Sequence, residues 1–356
     1  MKVPAWTAAL LVTLLLPASA AAEVPRGWFG MAADGPLLEE PAGRDHEWTR
    51  IRKSGVGFVR VSFPWRIVEQ DPGVRDFART DAIVRRATRH RLAVLPEVHG
   101  TPPWAAVHPR RTGSRPRDPE HFAAILRAFV RRYGPSGTFW EAHPGLPARP
   151  IRRWQIWNEP NLKAYWSEQP FAARYVDLLR ASRRVLDEED PGAELILGGM
   201  PNRSWEALAS IYEAGGRGLF DAVALHPYTS SVANVMLVLR LVRQEMVFQG
   251  DGEVPLWLTE LSWPASARRN GLSPDGFETT ARRQAKRLRR GYQQLARERE
   301  SLRIAGVVWY TWLSREGYSR PSWAAYTGLR RIRDGRVVNS PAFTAFRSTV
   351  ARLQRR

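Results

Sequence analysis

The sequence predicts an α/β protein built as a single (β/α)8 TIM barrel, and three observations carry that reading. Short apolar runs rich in β-branched and aromatic residues recur eight times. Segments with helical periodicity lie between them. No composition break or Gly/Ser linker divides Val24 from Arg356. Strands separated by helices are the pattern of βα units, and such units build a parallel sheet. Eight units in about 330 residues is the size of a closed barrel. An open doubly wound sheet is the competing architecture, but no G-x-G-x-x-G follows the first run.

The runs, in order, are Trp28-Phe29-Gly30-Met31, Phe58 to Phe63, Leu92 to Val98, Ile151 to Trp157, Leu195 to Met200, Ala222 to His226, Leu256 to Leu261 and Ile304 to Thr311. The helical signals are clearest in two places. Asp118 is an N-cap with Pro119 at the first helical position, ahead of Phe122, Ile125, Leu126, Phe129, Val130 and Tyr133 on one face. Ala281, Ala285, Leu288, Tyr292 and Leu295 form a second stripe. The stretch from Ala281 to Arg303 is strongly basic, and it is expected to be an outer barrel helix whose arginines occupy the solvated face.

Composition narrows the chemistry. There is no cysteine among the 356 residues, which excludes a disulfide framework, a thiolate metal site and a cysteine nucleophile. Lys and Arg number 54 against 35 acidic residues, a formal charge of +19, and only four of the 54 are lysine. An arginine bias spread over the whole chain bears on solubility and non-specific binding rather than on a particular partner. No nucleic-acid motif accompanies it, so no specific nucleic acid is expected.

Residues 1–22 read as a secretory signal: Lys2, an apolar run from Ala8 to Leu16, Pro17, then small residues at Ala18-Ser19-Ala20 and Ala20-Ala21-Ala22. The run is short for a bilayer span, and no later stretch approaches 18 apolar residues. The expectation is a secreted protein with one domain over residues 23–356, no stable membrane anchor and a monomeric state.

Two glutamates stand where a barrel puts its chemistry, at strand ends. Glu159 follows the fourth run in Trp157-Asn158-Glu159-Pro160-Asn161, and Glu260 lies near the end of the seventh in Leu258-Thr259-Glu260-Leu261. Cleaving an acetal requires a proton for the leaving oxygen and an anion to meet the developing oxocarbenium ion; two carboxyl groups in different environments provide both. His99 and His226 belong to no HxxxH pair, so neither a metal nor another cofactor is expected.

The Asn158-Glu159-Pro160 tripeptide, together with a glutamate three strands later, resembles the signature of the clan A glycoside hydrolases. The resemblance extends over nearly the whole chain after residue 22. It implies that Glu159 is the general acid/base and Glu260 the nucleophile of a retaining hydrolase acting on a polysaccharide or oligosaccharide. Arg60 resembles the arginine that keeps the nucleophile ionised, and Asn158 the residue that binds the sugar 2-hydroxyl. His226-Pro227-Tyr228 resembles the His-x-Tyr element whose tyrosine contacts the nucleophile. Glu97 and His99 at the third strand end are candidates for sugar hydroxyls, with pairing inside the barrel the equal alternative for Glu97. Of the tryptophans near strand ends (Trp65, Trp104, Trp157, Trp263 and Trp312), Trp104 and Trp312 are the expected sugar contacts. Trp312 is expected as the platform because it lies nearest the exit of the eighth strand. The Thr101-Pro102-Pro103-Trp104 and Trp309-Tyr310-Thr311-Trp312 segments are most similar to the branch of β-xylosidases, α-iduronidases and single-domain endoglycosidases. With no length left for the β-sandwich of the exo-acting xylosidases, endo action is the expectation. A carbohydrate-binding protein on an inactive barrel and a charge-driven surface or nucleic-acid binder are the alternatives.

Overall fold

The computed structural model describes residues 23–39, 45–267, 276–315 and 323–354; the expected signal segment 1–22 lies outside them. The strands are β1 (Phe29–Ala32), β2 (Phe58–Pro64), β3 (Ala93–His99), β4 (Arg153–Ile156), β5 (Glu194–Leu197), β6 (Met200–Pro201), β7 (Val223–His226), β8 (Leu256–Leu261) and β9 (Ile304–Trp309). They pair in the order β5-β4-β3-β2-β1-β9-β8-β7-β6, every pair parallel. The ring closes where β5 meets the start of β7, through a parallel bridge from Ile196 to Ala222 and a Leu197 N–H bond to the Ala222 carbonyl at 3.0 Å.

The fifth predicted strand is thus one barrel position in two pieces, β5 and β6, interrupted at Gly198-Gly199. The interruption has a steric cause. A Cβ on Gly199 would lie 2.0 Å from Nε2 of His226, so only glycine lets the backbone pass that ring. The other predicted strands appear with ends shifted by a residue or two, the usual uncertainty of such boundaries.

The outer layer consists of α1 (Asp45–Lys53), α3 (Ala78–Arg89), α4 (Pro119–Tyr133), α6 (Ala172–Glu189), α7 (Ser204–Glu213), α8 (Val232–Phe248), α9 (Ala281–Arg297) and α10 (Pro341–Leu353), with single turns α2 (Trp65–Val68) and α5 (Thr138–Glu141) in loops. Asp118 caps α4 by accepting the Glu120 N–H at 2.9 Å, with Pro119 at the first position. In α9, Ala285, Leu288, Tyr292 and Leu295 are buried while Arg282, Arg283, Lys286, Arg289 and Arg290 are exposed.

Apolar side chains form two bodies. The larger fills the space between strands and helices. The smaller, made of Ala32, Phe58, Leu95, Ile196, Ala222, Ala224, Trp257 and Val308, fills the barrel itself. Phe58 and Trp257 meet edge to face at 5.5 Å, and the space for their rings comes from Gly30 and Gly306, where a Cβ would come within 2.3 and 2.5 Å of them. This plug closes the bottom of the barrel, so only the opposite end can admit a ligand.

One element was absent from the sequence reading. After β9 the chain forms a three-stranded sheet of β10 (Leu313–Arg315), β11 (Arg330–Arg333) and β12 (Arg336–Asn339) before α10. The β11–β12 hairpin turns on Asp334-Gly335, both at positive φ (47° and 70°), the Asp-Gly signature of a two-residue turn.

Candidate active site

The interior-facing residues of β2 begin the site. Arg60 is 6% exposed and spends its guanidinium on three partners: Nε on Gln155 Oε1 at 2.7 Å, Nη1 on Glu260 Oε1 at 2.7 Å and Nη2 on Asn158 Oδ1 at 2.9 Å. Glu97 Oε2 is 3.8 Å from Nη2. The planar fork thus ties β2, β3, β4 and β8 together at one level of the barrel.

Glu159 is held by an unusual backbone. Trp157 and Glu159 both take positive φ, 71° and 43°, a region that costs a non-glycine residue free energy. The loop is pinned on both sides: the Trp157 indole N–H donates to the Tyr165 carbonyl at 2.9 Å, and the Glu159 N–H to the Gly199 carbonyl at 3.2 Å. The twist at the strand end turns the Glu159 carboxyl inward, where Oε1 lies 2.7 Å from His226 Nδ1.

Glu260 receives Arg60 on one oxygen and the Tyr228 hydroxyl on the other, at 2.6 Å. His226 Nδ1 lies 3.8 Å from the same Oε2. Burial by itself raises this carboxyl's pKa, but electrostatic attraction to His226 and Arg60, with the hydrogen bonds from Tyr228 and Arg60, outweighs it and holds Glu260 below the usual carboxylate range. Tyr228 is pushed well above its ordinary value, by burial first and then by the Glu260 charge, so it stays a donor. One oxygen of Glu159 and one of Glu260 lie within 4.8 Å of each other, and both residues are 8% exposed.

Arg60, Asn158 and Glu260 line a cleft of 410 Å3 at the open end, whose walls also include Asp34, Glu97, His99, Tyr165 and Tyr310. Glu97 contacts His99, and Ser62 Oγ lies 3.3 Å from the same His99 nitrogen. Glu159, His226 and Glu260 also offer three donor atoms close enough for a cation. However, the fixed charge of Arg60 is 2.7 Å from Glu260 and opposes a second positive charge there.

The structure brings Arg60, His99, Asn158, Glu159, His226, Tyr228 and Glu260 together and separates the two expected tryptophans from them. Trp312 is 0% exposed; its N–H donates to the buried Glu47 at 2.8 Å and its ring packs edge-on against Phe343. It cannot serve as a sugar platform. The residue pointing inward at the exit of β9 is Tyr310, which joins the packing inside the barrel. Trp104 is partly buried against Trp65 and His121, with its N–H on the Glu69 carbonyl at 3.3 Å, and does not line the cleft. Trp65, Trp157 and Trp263 are core residues.

The indole at the mouth is instead Trp323, 4.9 Å from the Tyr228 ring and 5.9 Å from Tyr310, with Phe277 beside it. Trp323 lies beyond the last barrel strand in a short 3-10 turn, where no periodicity marks it. Tyr310 donates to Asp34 at 2.8 Å across the mouth. Gln155, which contacts Arg60, and Thr259, which contacts His226, were missed because buried amide and hydroxyl side chains on a strand carry no sequence signal of their own.

The fold is shared with solved glycoside hydrolases. A family 39 glycoside hydrolase from Bacteroides cellulosilyticus WH2 superposes with a TM-score of 0.69 at 19% identity, over 95% of this chain and 66% of that one. A monomeric beta-xylosidase from Caulobacter crescentus CB15 gives 0.67 at 18% identity, over 92% and 69%. The GH53 catalytic domain of Ignisphaera aggregans gives 0.63 at 14% identity, over 92% of this chain and 98% of the domain. The chain therefore spans about two thirds of the first two and nearly all of the third, and shares their barrel fold. No family model and no curated protein matches the sequence.

Proposed function

We propose that this chain is a retaining glycoside hydrolase that cleaves O-glycosidic bonds of an oligosaccharide or polysaccharide, with Glu260 as nucleophile and Glu159 as acid/base. The observation that carries the reading is the pair itself: two carboxyls with oxygens within 4.8 Å, in unlike surroundings. Carboxyls about 5–5.5 Å apart suit direct attack on the sugar, whereas an interposed water needs about 6.5–9.5 Å.

The surroundings divide the roles. Glu260, facing Arg60 and Tyr228, is held ionised and attacks the anomeric carbon. Among the described residues no guanidinium pairs with Glu159; its Oε1 lies 2.7 Å from His226 Nδ1, and its other oxygen is the one that would carry the proton. That proton passes to the leaving oxygen as the Glu260 ester forms. Glu159, now ionised, takes a proton from water, which attacks the same carbon and releases Glu260. The Tyr228 hydroxyl serves both halves, since it stabilises the carboxylate that attacks and the one that leaves. Asn158, fixed by Arg60, stands beside the nucleophile, where it reaches a sugar 2-hydroxyl. Export through residues 1–22 is part of the proposal, consistent with a polymeric substrate outside the cell.

The test is a burst assay on Glu159→Ala with an activated aryl glycoside. The leaving group departs without protonation, so the glycosyl-enzyme forms and stalls for want of a base. Added azide should restore turnover and give a glycosyl azide of retained configuration. No burst would remove Glu159 from the acid/base role, and an inverted azide would make Glu159 the nucleophile.

A further inference from the structure

Beneath the two glutamates lie Gln155, Thr259 and His226, each 0% exposed, so no solvent can replace a missing partner. One assignment of their hydrogen bonds leaves no donor among them without an acceptor. Arg60 Nε can only donate, so the Gln155 atom 2.7 Å away is its oxygen. The Gln155 nitrogen then donates twice, to the Leu197 carbonyl and to Thr259 Oγ1, each at 3.1 Å. Leu197 offers only an acceptor, which fixes the amide a second time. Thr259 Oγ1 therefore accepts from Gln155, and its single proton has His226 Nε2, at 3.0 Å, as its one partner among the described residues. A ring nitrogen that accepts carries no proton, so the proton of the neutral imidazole sits on Nδ1. There it meets Glu159 Oε1 at 2.7 Å.

We propose that Gln155 is a positioning residue that, through Thr259, fixes the His226 tautomer and so sets how strongly Glu159 holds its proton. The chain of contacts runs from the nucleophile to the acid/base: Glu260, Arg60, Gln155, Thr259, His226, Glu159. A glutamine is required because the middle position must accept from a guanidinium and donate to a hydroxyl at once. A carboxylate of the same shape cannot donate. With glutamate at 155, the Thr259 proton turns toward the new acceptor, Nε2 must become the donor to Thr259, and Nδ1 presents a bare lone pair to Glu159. The ionised form of Glu159 loses its hydrogen-bond donor and its pKa rises. The other ionisable groups around Glu159 are Glu260 from β8, Tyr228 following β7 and Tyr165 from its own loop, with Arg60 and Glu97 behind Glu260. None of them exchanges a donor for an acceptor in this substitution.

The role presupposes the glycosidase reading, but its first test does not. Nitrogen-15 NMR of histidine-labelled wild-type protein should show a neutral His226 protonated on Nδ1, the ring assigned by the signal lost in His226→Asn. Protonation on Nε2 would overturn the proposal whatever the enzyme's substrate. In Gln155→Glu the tautomer should switch to Nε2, and the basic limb of the kcat/KM profile should move up by about one pH unit. In Thr259→Val the relay is cut, so adding Gln155→Glu should leave the tautomer on Nδ1 and move the basic limb less than it does with threonine. Thr259→Ser should behave as wild type. Loss of melting temperature in Gln155→Glu with the tautomer unchanged, or equal limb shifts with threonine and valine, would make Gln155 merely structural. A correct tautomer in a protein that hydrolyses no glycoside would instead count against the enzymatic reading alone.

Discussion

Tyr228→Phe isolates one contribution to the nucleophile. The substitution deletes the hydroxyl 2.6 Å from Glu260 Oε2 and keeps the ring that packs against Phe277 and Trp323. A hydrogen bond to a charged group contributes about 1.5–3 kcal/mol, and about 1.4 kcal/mol corresponds to one pKa unit, so the Glu260 pKa should rise by about 1–2 units. Arg60 on the other oxygen limits the loss. The acidic limb of kcat/KM, which reports ionisation of the free nucleophile, should move to higher pH by the same amount. Stability supplies a readout that needs no substrate. The folded-state pKa of Glu260 is depressed, so its ionisation stabilises the fold above the unfolded-state pKa, and that contribution disappears as pH falls through the folded value. The melting-temperature gap between wild type and Tyr228→Phe should therefore be present at neutral pH and close at pH values below the wild-type Glu260 pKa. An acidic limb that stays put, together with a gap independent of pH, would show that the hydroxyl does not hold the ionised carboxylate.

Other substitutions probe separate parts of the site. Gly199→Ala places a Cβ 2.0 Å from His226 Nε2 and should cost about 1–3 kcal/mol in chemical denaturation while lowering kcat, because the ring that contacts Glu159 must move. Arg60→Met leaves Glu260 buried without its counter-charge and should cost about 3–5 kcal/mol at neutral pH by denaturant titration, less in acid where Glu260 is protonated. Trp323→Ala should raise KM for a saccharide with little change in melting temperature, whereas Trp312→Phe, which strips an N–H from the buried Glu47, should lower the melting temperature and leave KM alone.

What could be seen in advance follows from where information sits in a barrel. The strand and helix alternation was legible because apolar runs and 3.6-residue stripes are local, and Glu159 and Glu260 could be named as candidates because Asn158-Glu159-Pro160 and Thr259-Glu260 each stand at a strand end. The tryptophan platform was not, and the reason is geometric. Counting parity along β9 requires knowing which face residue 308 takes, and that is set by Val308 joining the barrel plug that also holds Trp257, residues 51 positions apart. With Val308 inside, alternation carries Tyr310 inward and turns Trp309 outward to the Thr327 carbonyl; Trp312 has the same parity as Val308 but lies past the end of β9, where alternation no longer holds, and turns to Glu47. The same limit hid Gln155. Alternation along β4 marks it as inward-facing, but its importance arises from Arg60 on one neighbouring level and Thr259 across the barrel. A buried glutamine with a guanidinium on its oxygen and a hydroxyl on its nitrogen is determined by three strands at once. A residue of this kind connects the two candidate carboxyls without lining the cleft, so its effect has to be sought in protonation states rather than in binding.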